Sequence, residues 1–251
     1  MHRSVPWSLM RRRGVEALSK DRRMRSTSSL VTIGQEILAL LLAATCAGCG
    51  RPETVLCASC RSRLRQEPVE ASTPAGLRVV AAMSFDDVAG RCIRALKDEG
   101  QTLLARPLGA ALREALSVAL GGEDDDPVRV VPIPTSTSAF RRRGFRVPEI
   151  LIRRAGVIPQ RMLVVRRRRL DQRGLDAARR AANVRGTMRA RFTGRGEPVV
   201  LVDDVVTTGA TFDEAARVLR DAGFRVIAAV ALAATPRHSE RNANASGTRR
   251  K

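Results

Sequence analysis

The 251-residue chain has no tyrosine, and aromatic residues make up only 3% of it. The stacking platforms that hold single-stranded nucleic acid are therefore scarce. Lysine is almost missing as well, with Lys20, Lys97 and Lys251 the only three. There is no internal repeat. The apolar run at residues 37–44 (ILALLLAA) is too short for a membrane-spanning helix, which needs roughly 20 residues, so no stable membrane insertion is expected. What is plentiful is arginine: 45 Lys+Arg against 25 Asp+Glu give a net charge of +20. That charge suits an anionic partner, either nucleic acid or a polyphosphorylated small molecule. A compositional bias toward arginine would give the same balance without functional content. At 44% hydrophobic and 28% charged, the chain reads as soluble and globular, long enough for one medium domain and a small appendage.

Four of the five cysteines form two C-x-x-C pairs, Cys46 with Cys49 and Cys57 with Cys60. This spacing argues against a secreted disulfide framework and for metal in a reducing compartment, hence a cytoplasmic protein. Each pair supplies half of a tetrahedral thiolate site, and the seven intervening residues (GRPETVL) can fold back to join them. Four thiolates with no open position suit a structural Zn²⁺; an iron–sulfur cluster and four free thiols are the alternatives. Cys92 shares an apolar helix face with Val88 and Leu96 and reads as core. Ahead of the pairs, Arg22, Arg23 and Arg25 followed by residues 37–44 and Cys46 imitate a lipoprotein signal. A lipid anchor would leave the second pair unexplained, so an apolar helix packing on the domain is preferred. Met24 is an alternative start.

The expected organisation is a basic disordered stretch at 1–31, then a helix (32–45) with the knuckle in 32–66. A Pro/Gly/Ser linker covers 67–76 (EPVEASTPAG), the main domain 77–235, and a disordered tail 236–251. In the main domain, strands are expected at 77–83, 128–134, 162–165, 198–203 and 225–233. Helices are expected at 88–97, 102–120 and 209–222, with a loop and helix over 135–155 and an acidic turn at 121–127. Strands alternating with helices imply an α/β fold, a parallel sheet flanked by helices on both faces.

The most informative segment is residues 199–211, VVLVDDVVTTGAT. Four apolar residues lead to two carboxylates, Asp203 and Asp204, and then to a Thr-Thr-Gly-x-Thr turn opening a helix. Successive N–H groups at such a helix start make a phosphate site. Thr207, Thr208 and Thr211 add hydroxyls, and Gly209 allows close approach or positive φ. Carboxylates at a strand's carboxyl end sit where open α/β sheets bind ligands, and can accept from ribose hydroxyls. An ordinary strand–turn–helix would account for a lone Asp-Asp or T-x-G-x-T. The complete pattern resembles the 5-phosphoribosyl-1-pyrophosphate (PRPP) motif of phosphoribosyltransferases without a mismatch, with Asp203, Asp204, Thr207, Thr208, Gly209, Ala210 and Thr211 as the binding residues.

From about residue 37 to residue 234 the chain resembles the ComF family, competence-associated phosphoribosyltransferase-like proteins. The apolar helix and four-cysteine knuckle match, as does IRALKDEG (93–100), which keeps Lys97 but has Asp98 where an aromatic is usual. Val131 to Pro134 (VPIP), a basic loop at Arg141 to Arg143, and Arg143-Gly144-Phe145 follow; Arg146 and Val147 then replace an expected Asn-Gln. The family's Q-x-G-L-x-x-x-x-R-x-x-N-V-R-G is complete in Gln172, Gly174, Leu175, Arg180, Asn183, Val184, Arg185 and Gly186.

The resemblance implies a type I phosphoribosyltransferase fold with a small N-terminal zinc knuckle. It implies a pyrophosphate loop at Pro134, Thr135, Ser136, Thr137 and Ser138, and a mobile loop carrying Gln172, Arg180 and Asn183. Asp203, Asp204 and Arg180 would then be the catalytic residues, and Mg²⁺ the ion accompanying PRPP. The arginines at 166–169 fit a solvated face as well as a ligand contact. The implied reaction displaces pyrophosphate from the anomeric carbon of PRPP in favour of an acceptor base or amine. No motif reads the acceptor, and no glutamine-hydrolysing cysteine domain is present. The alternative is a non-catalytic PRPP- or nucleotide-binding accessory in DNA uptake, touching single-stranded DNA or a helicase.

Overall fold

The structure, a computed structural model, describes residues 44–121, 127–166 and 185–235. The stretch 1–31, nearly all of the expected 32–45 helix, the centre of the acidic turn, Gln172, Arg180, Asn183 and the tail 236–251 lie outside the described residues. In chain order the elements are α1 (Ala58–Arg63), β1 (Val69–Ser72), β2 (Arg78–Ser84), α2 (Asp87–Asp98), a 3₁₀ turn (Thr102–Leu104) and α3 (Ala105–Leu120). They continue as β3 (Arg129–Pro132), α4 (Thr137–Arg143), α5 (Val147–Arg154), β4 (Leu163–Val165), β5 (Met188–Ala190), β6 (Pro198–Val206), α6 (Ala210–Asp221) and β7 (Arg225–Ala234). None of the helices is long and apolar enough to cross a membrane, among the described residues.

Five strands form one sheet in the order β1-β2-β7-β6-β3. β2, β7, β6 and β3 run parallel; β1 pairs antiparallel to β2 at the edge. Because side chains alternate along a strand, β6 feeds both faces: Val200 and Val202 enter one hydrophobic cluster, Val199 and Leu201 the other. A strand buried on both sides must be apolar throughout, hence the unbroken run before Asp203. The α/β fold read from the sequence is the fold observed.

Two connections open a crevice at the carboxyl ends of the strands. After β3 the chain passes to α5, whose Leu151 and Ile152 pack on the first face. After β6 it passes to α6, whose Phe212, Ala215 and Leu219 pack on the second. Neighbouring strands that send their helices to opposite faces leave a gap between their loops, where such sheets bind ligands. α2 closes one side of that edge. It begins just after the carboxyl end of β2, yet Lys97 near its far end meets Asp204 on β6. Both ends of α2 therefore lie at the carboxyl edge, and the helix crosses it instead of returning down the sheet.

Several expectations change in detail. The expected linker contains β1, and its turn at Thr73, where Thr73 is buried, packs under the start of α6. The loop-and-helix at 135–155 is two helices broken at Gly144, so the basic loop Arg141 to Arg143 is the last turn of α4. The strand at 162–165 stands outside the main sheet, paired antiparallel with β5. Arg166 N–H donates to Thr187 O (2.7 Å), closing the base of the intervening segment.

The knuckle shares the core of the sheet: Cys46, Leu56, Cys57, Cys60 and Leu64 belong to the same buried cluster as Val88, Cys92 and Val230. Cys92 is fully buried, as a core residue should be. Leu64, 1% exposed, joins the two parts. Leu64→Ala should lower unfolding free energy by about 2–5 kcal/mol. Calorimetry should show the knuckle and sheet melting in one transition.

Candidate functional site

β6 does not end at its carboxylates. It continues through Asp203 and Asp204 to Val206, paired with β7 (Asp203 opposite Ala231, Val206 opposite Ala234). β3 stops earlier, with Pro132 opposite Val202, so both carboxylates emerge beyond it into the crevice. Alternation points them to opposite faces. Asp204, 7% exposed, turns to the α2 side and takes Lys97 Nζ at 2.8 Å. Asp203 is half-buried, and its Oδ1 accepts from the Asp204 N–H at 2.8 Å. Burial, reinforced by the charge of Asp204, pushes the Asp203 carboxyl up to about 8; the Asp204 N–H and Lys97 only partly oppose this.

Past Val206 the chain turns into α6. Thr207 and Thr208 are exposed, and among the described residues the backbone N–H groups of Thr207, Thr208 and Gly209 have no protein acceptor. Thr208 Oγ1 accepts from Ala210 N–H at 3.4 Å, and Thr211 lies in the first turn of the helix, partly exposed. Gly209 caps α6 with φ of 83°. A Cβ there would stand 3.0 Å from Thr73 Cγ2 and 3.3 Å from Pro74 Cδ. Glycine is thus required both for the left-handed backbone and for the turn beneath it. That turn is also tied to α6, Ala75 N–H donating to Asp213 Oδ2 at 3.3 Å.

The segment after β3 lies across the gap. Pro134 and Thr135 are partly exposed, while Ser136, Thr137 and Ser138 are exposed. Ser136 caps α4 by accepting from Ala139 N–H, and its hydroxyl lies 3.2 Å from that of Ser138. A pocket of about 230 Å³ opens beside this segment, lined by Pro134, Thr135, Thr137, Arg146, Arg161 and Arg191 among others. Buried Glu149 fixes two of its cations: Arg161 forks onto it at 2.6 and 2.8 Å, and Arg146 approaches at 3.7 Å. Arg146 also covers the Phe140 ring, 4.0 Å from its centre. The arrangement offers carboxylates for hydroxyls, an N–H nest for one phosphate, and hydroxyls beside arginines for a second anion.

A model of the phosphoribosyl transferase domain matches residues 123–248, 126 of the 251. The chain belongs to the phosphoribosyl transferase domain family. Among solved structures it is similar to an adenine phosphoribosyltransferase, at 14% identity over 73% of this chain and 94% of that one (TM-score 0.38). It is also similar to adenine phosphoribosyltransferase from Saccharomyces cerevisiae, at 15% identity over 71% and 89% (TM-score 0.36). Orotate phosphoribosyltransferase from Aeropyrum pernix matches at 22% identity over 74% and 85% (TM-score 0.32). The family membership rests on the family model.

Two residues of this phosphoribosyl transferase domain protein escaped sequence reasoning. Lys97 figured there only as the retained member of a motif, yet among the described residues it is the cation that meets Asp204. The available signal was compositional, one of three lysines in a chain whose cations are otherwise arginine. Glu214 of α6, 5% exposed, accepts from Gly186 N–H at 2.7 Å and so ties the chain entering β5 to the loop helix. Nothing in its own sequence context marks it.

The four cysteines do converge. Their sulfurs all lie within 4.8 Å of one another, and those of Cys49 and Cys57 are 3.8 Å apart. Metal–sulfur bonds of ~2.3 Å in a tetrahedron put sulfurs about 3.8 Å apart, so the set can hold a metal ion. A Cβ on Gly48 would stand 2.6 Å from Cys60 Sγ, so only glycine fits there. Burial pushes Cys46 up, but N–H groups of Cys57, Cys49 and Gly48 donating to its sulfur prevail and bring it down to about 6. Burial and then the neighbouring thiols push Cys60 far up. The Cys60 thiol thus resists ionising beside Cys46, and a bound cation would remove that conflict.

The Asp203 shift has a consequence for stability. Between the ordinary value of 3.8 and about 8 the folded chain keeps a proton that the unfolded chain releases. This carboxyl therefore withdraws stability as pH rises through that window, the reverse of an ion-paired aspartate. Asp203→Asn should melt higher than the parent, by about 2–4 °C per ~1 kcal/mol. The gain should be absent near pH 3.8, grow with pH, and level off above about 8, as melting curves across pH would record.

Proposed function

We propose that this chain is a PRPP-binding phosphoribosyltransferase of the ComF family, moving a phosphoribosyl group from PRPP to an acceptor base or amine with release of pyrophosphate. The observation that carries the reading is the pair Asp203 and Asp204 emerging past β3 beside the open N–H groups of residues 207–209. The aspartates accept from the ribose hydroxyls. The N–H groups of Thr207, Thr208 and Gly209, with the Thr207, Thr208 and Thr211 hydroxyls, take the 5-phosphate at the start of α6. Pro134, Thr135, Ser136, Thr137 and Ser138 border the pyrophosphate, and the motif match adds Gln172, Arg180 and Asn183 to the closing segment, with Arg180 on the leaving group.

In the step itself the bond between the anomeric carbon and pyrophosphate oxygen breaks, and its electrons leave with pyrophosphate. The acceptor nitrogen donates a lone pair to the carbon and releases its proton to solvent. The sugar passes through an oxocarbenium-like state, so orientation and charge neutralisation are the protein's main contributions. Mg²⁺ bound with PRPP supplies further neutralisation of the pyrophosphate. Support for the ComF membership comes from the knuckle and the order of the motifs. Four thiolates without an open position favour structural zinc and a reducing cytoplasm. On this reading residues 32–66 form the knuckle unit, and the transferase unit expected at 77–235 takes in β1 as its edge strand.

Pyrophosphate release, measured with PRPP and Mg²⁺ across nucleobases and amines, tests the reaction. One acceptor should give turnover, and Asp203→Asn with Asp204→Asn should reduce it by about 10²-fold or more, the scale of losing preorganised charge contacts. PRPP binding without turnover for any acceptor, together with salt-sensitive DNA binding, would favour the accessory-module reading instead. Unchanged PRPP affinity in the double variant would remove this site. Elemental analysis should find about one zinc per chain. Iron in its place would overturn the zinc assignment.

A further inference from the structure

We propose that Lys97 is a resident cation of the PRPP site, its ammonium supplying part of the positive charge that a polyanionic sugar needs beside Asp203 and Asp204. The proposal rests on the reading of residues 203–211 given above.

The geometry begins with charge. Two carboxylates face the crevice, and the ligand would bring more negative charge to them. Among the described residues only Lys97 reaches either one, with Nζ 2.8 Å from Asp204 Oδ2. Its side chain is 25% exposed and that of Asp204 11%, so solvent screens the pair far less than a surface ion pair. The ammonium is not sealed away, and its four-carbon stem lets it turn between Asp204 and a bound phosphate or hydroxyl. The planar fork of arginine, used for the other described ion pairs, is less suited to that exchange.

Lys97 is also held in place from both ends of α2. At the near end, Asp86 accepts from Ala89 N–H at 2.8 Å and from Arg63 at 2.9 Å, while Arg91 donates to Gly48 O between the cysteines. The knuckle thus grips the first half of the helix. At the far end Asp98 meets Arg143 at 3.5 Å, on the helix that follows the proposed pyrophosphate loop. The residue pair 97–98 therefore joins the end of β6 to α4, across the crevice mouth. Lys97 lies outside the span matched by the family model, residues 123–248, so the cation is brought to the site by the preceding part of the chain.

Calorimetric titration of PRPP at limiting and at saturating Mg²⁺ tests this with Lys97→Met, Lys97→Arg and Asp203→Asn/Asp204→Asn. Lys97→Met should weaken binding about 10-fold at limiting Mg²⁺, the scale of one charged contact. The loss should shrink at saturating Mg²⁺, and Lys97→Arg, which keeps the charge without the stem's freedom, should restore part of it. The pH profile of binding in Lys97→Met should also move to higher pH, because Asp203, without the opposing charge of Lys97, holds its proton longer. Should circular dichroism show Lys97→Met unfolded, Lys97→Gln, which keeps a donor for Asp204 but not the charge, carries the same comparison. Parent-like affinity at both Mg²⁺ levels, or a loss that Mg²⁺ does not change, would overturn the proposal while the aspartate variant still fails to bind. Parent-like binding by the aspartate variant would instead overturn the site reading itself.

Discussion

Adjacent carboxylates at the end of a buried strand repel each other, and much of the molecule is arranged around that repulsion. At an effective dielectric of ~20, two unit charges ~4 Å apart interact by ~4 kcal/mol, comparable to a large share of a domain's stability. Three features reduce it here. The pleat turns Asp203 and Asp204 to opposite faces; Lys97 meets one of them; a retained proton relieves the other. The second feature explains the course of α2. A helix that followed β2 back down the sheet would carry its last turn away from β6, whereas crossing the carboxyl edge brings an ammonium to Asp204.

The phosphate loop depends on its support as much as on its own residues. Gly209 adopts φ of 83° above a buried threonine with almost no free space between them. Thr73 holds its own turn together, accepting from Leu77 N–H through Oγ1 at 3.1 Å. The edge strand β1, antiparallel to β2, delivers that turn to the underside of α6. A segment with the composition of a linker therefore fixes the height of the loop. The Thr73 hydroxyl satisfies a backbone group of the turn, a physical reason for threonine at this place.

The legible parts of this sequence were those whose chemistry is local. Val199 to Val202 read as a strand because burial on both faces leaves no polar positions, and the two aspartates with Thr-Thr-Gly-x-Thr read as a ligand loop because the whole pattern lies within thirteen residues. The two C-x-x-C pairs predicted their own convergence for the same reason. β1 was invisible, since its four residues are all exposed and show no alternation; only pairing with β2, including the Glu70–Arg78 ion pair at 2.7 Å, makes it a strand. β4 was read as a strand but assigned to the main sheet, and β5 was missed, because the partner of each three-residue strand lies more than twenty residues away in the chain. Lys97 meeting Asp204 is the extreme case, a contact spanning over a hundred residues that no local pattern encodes.

The departures from the ComF pattern that the sequence resembles acquire a physical sense once their neighbours are known. Asp98 stands where an aromatic is usual, and it faces Arg142 at 3.9 Å and Arg143 at 3.5 Å. An aromatic there could cover the arginine stems but could not compensate their charge. Arg146 stands where asparagine is usual, and it is held between the Phe140 ring and Glu149. Val147, in place of glutamine, is 1% exposed and begins the face by which α5 packs on the sheet. These substitutions add charge only where an opposite charge or an aromatic face receives it, and remove polarity only where the chain is buried. Arg146 is the one that reaches the pocket beside residues 134–138, so it is through this position that the chain most directly alters the charge offered to whatever lies against that loop.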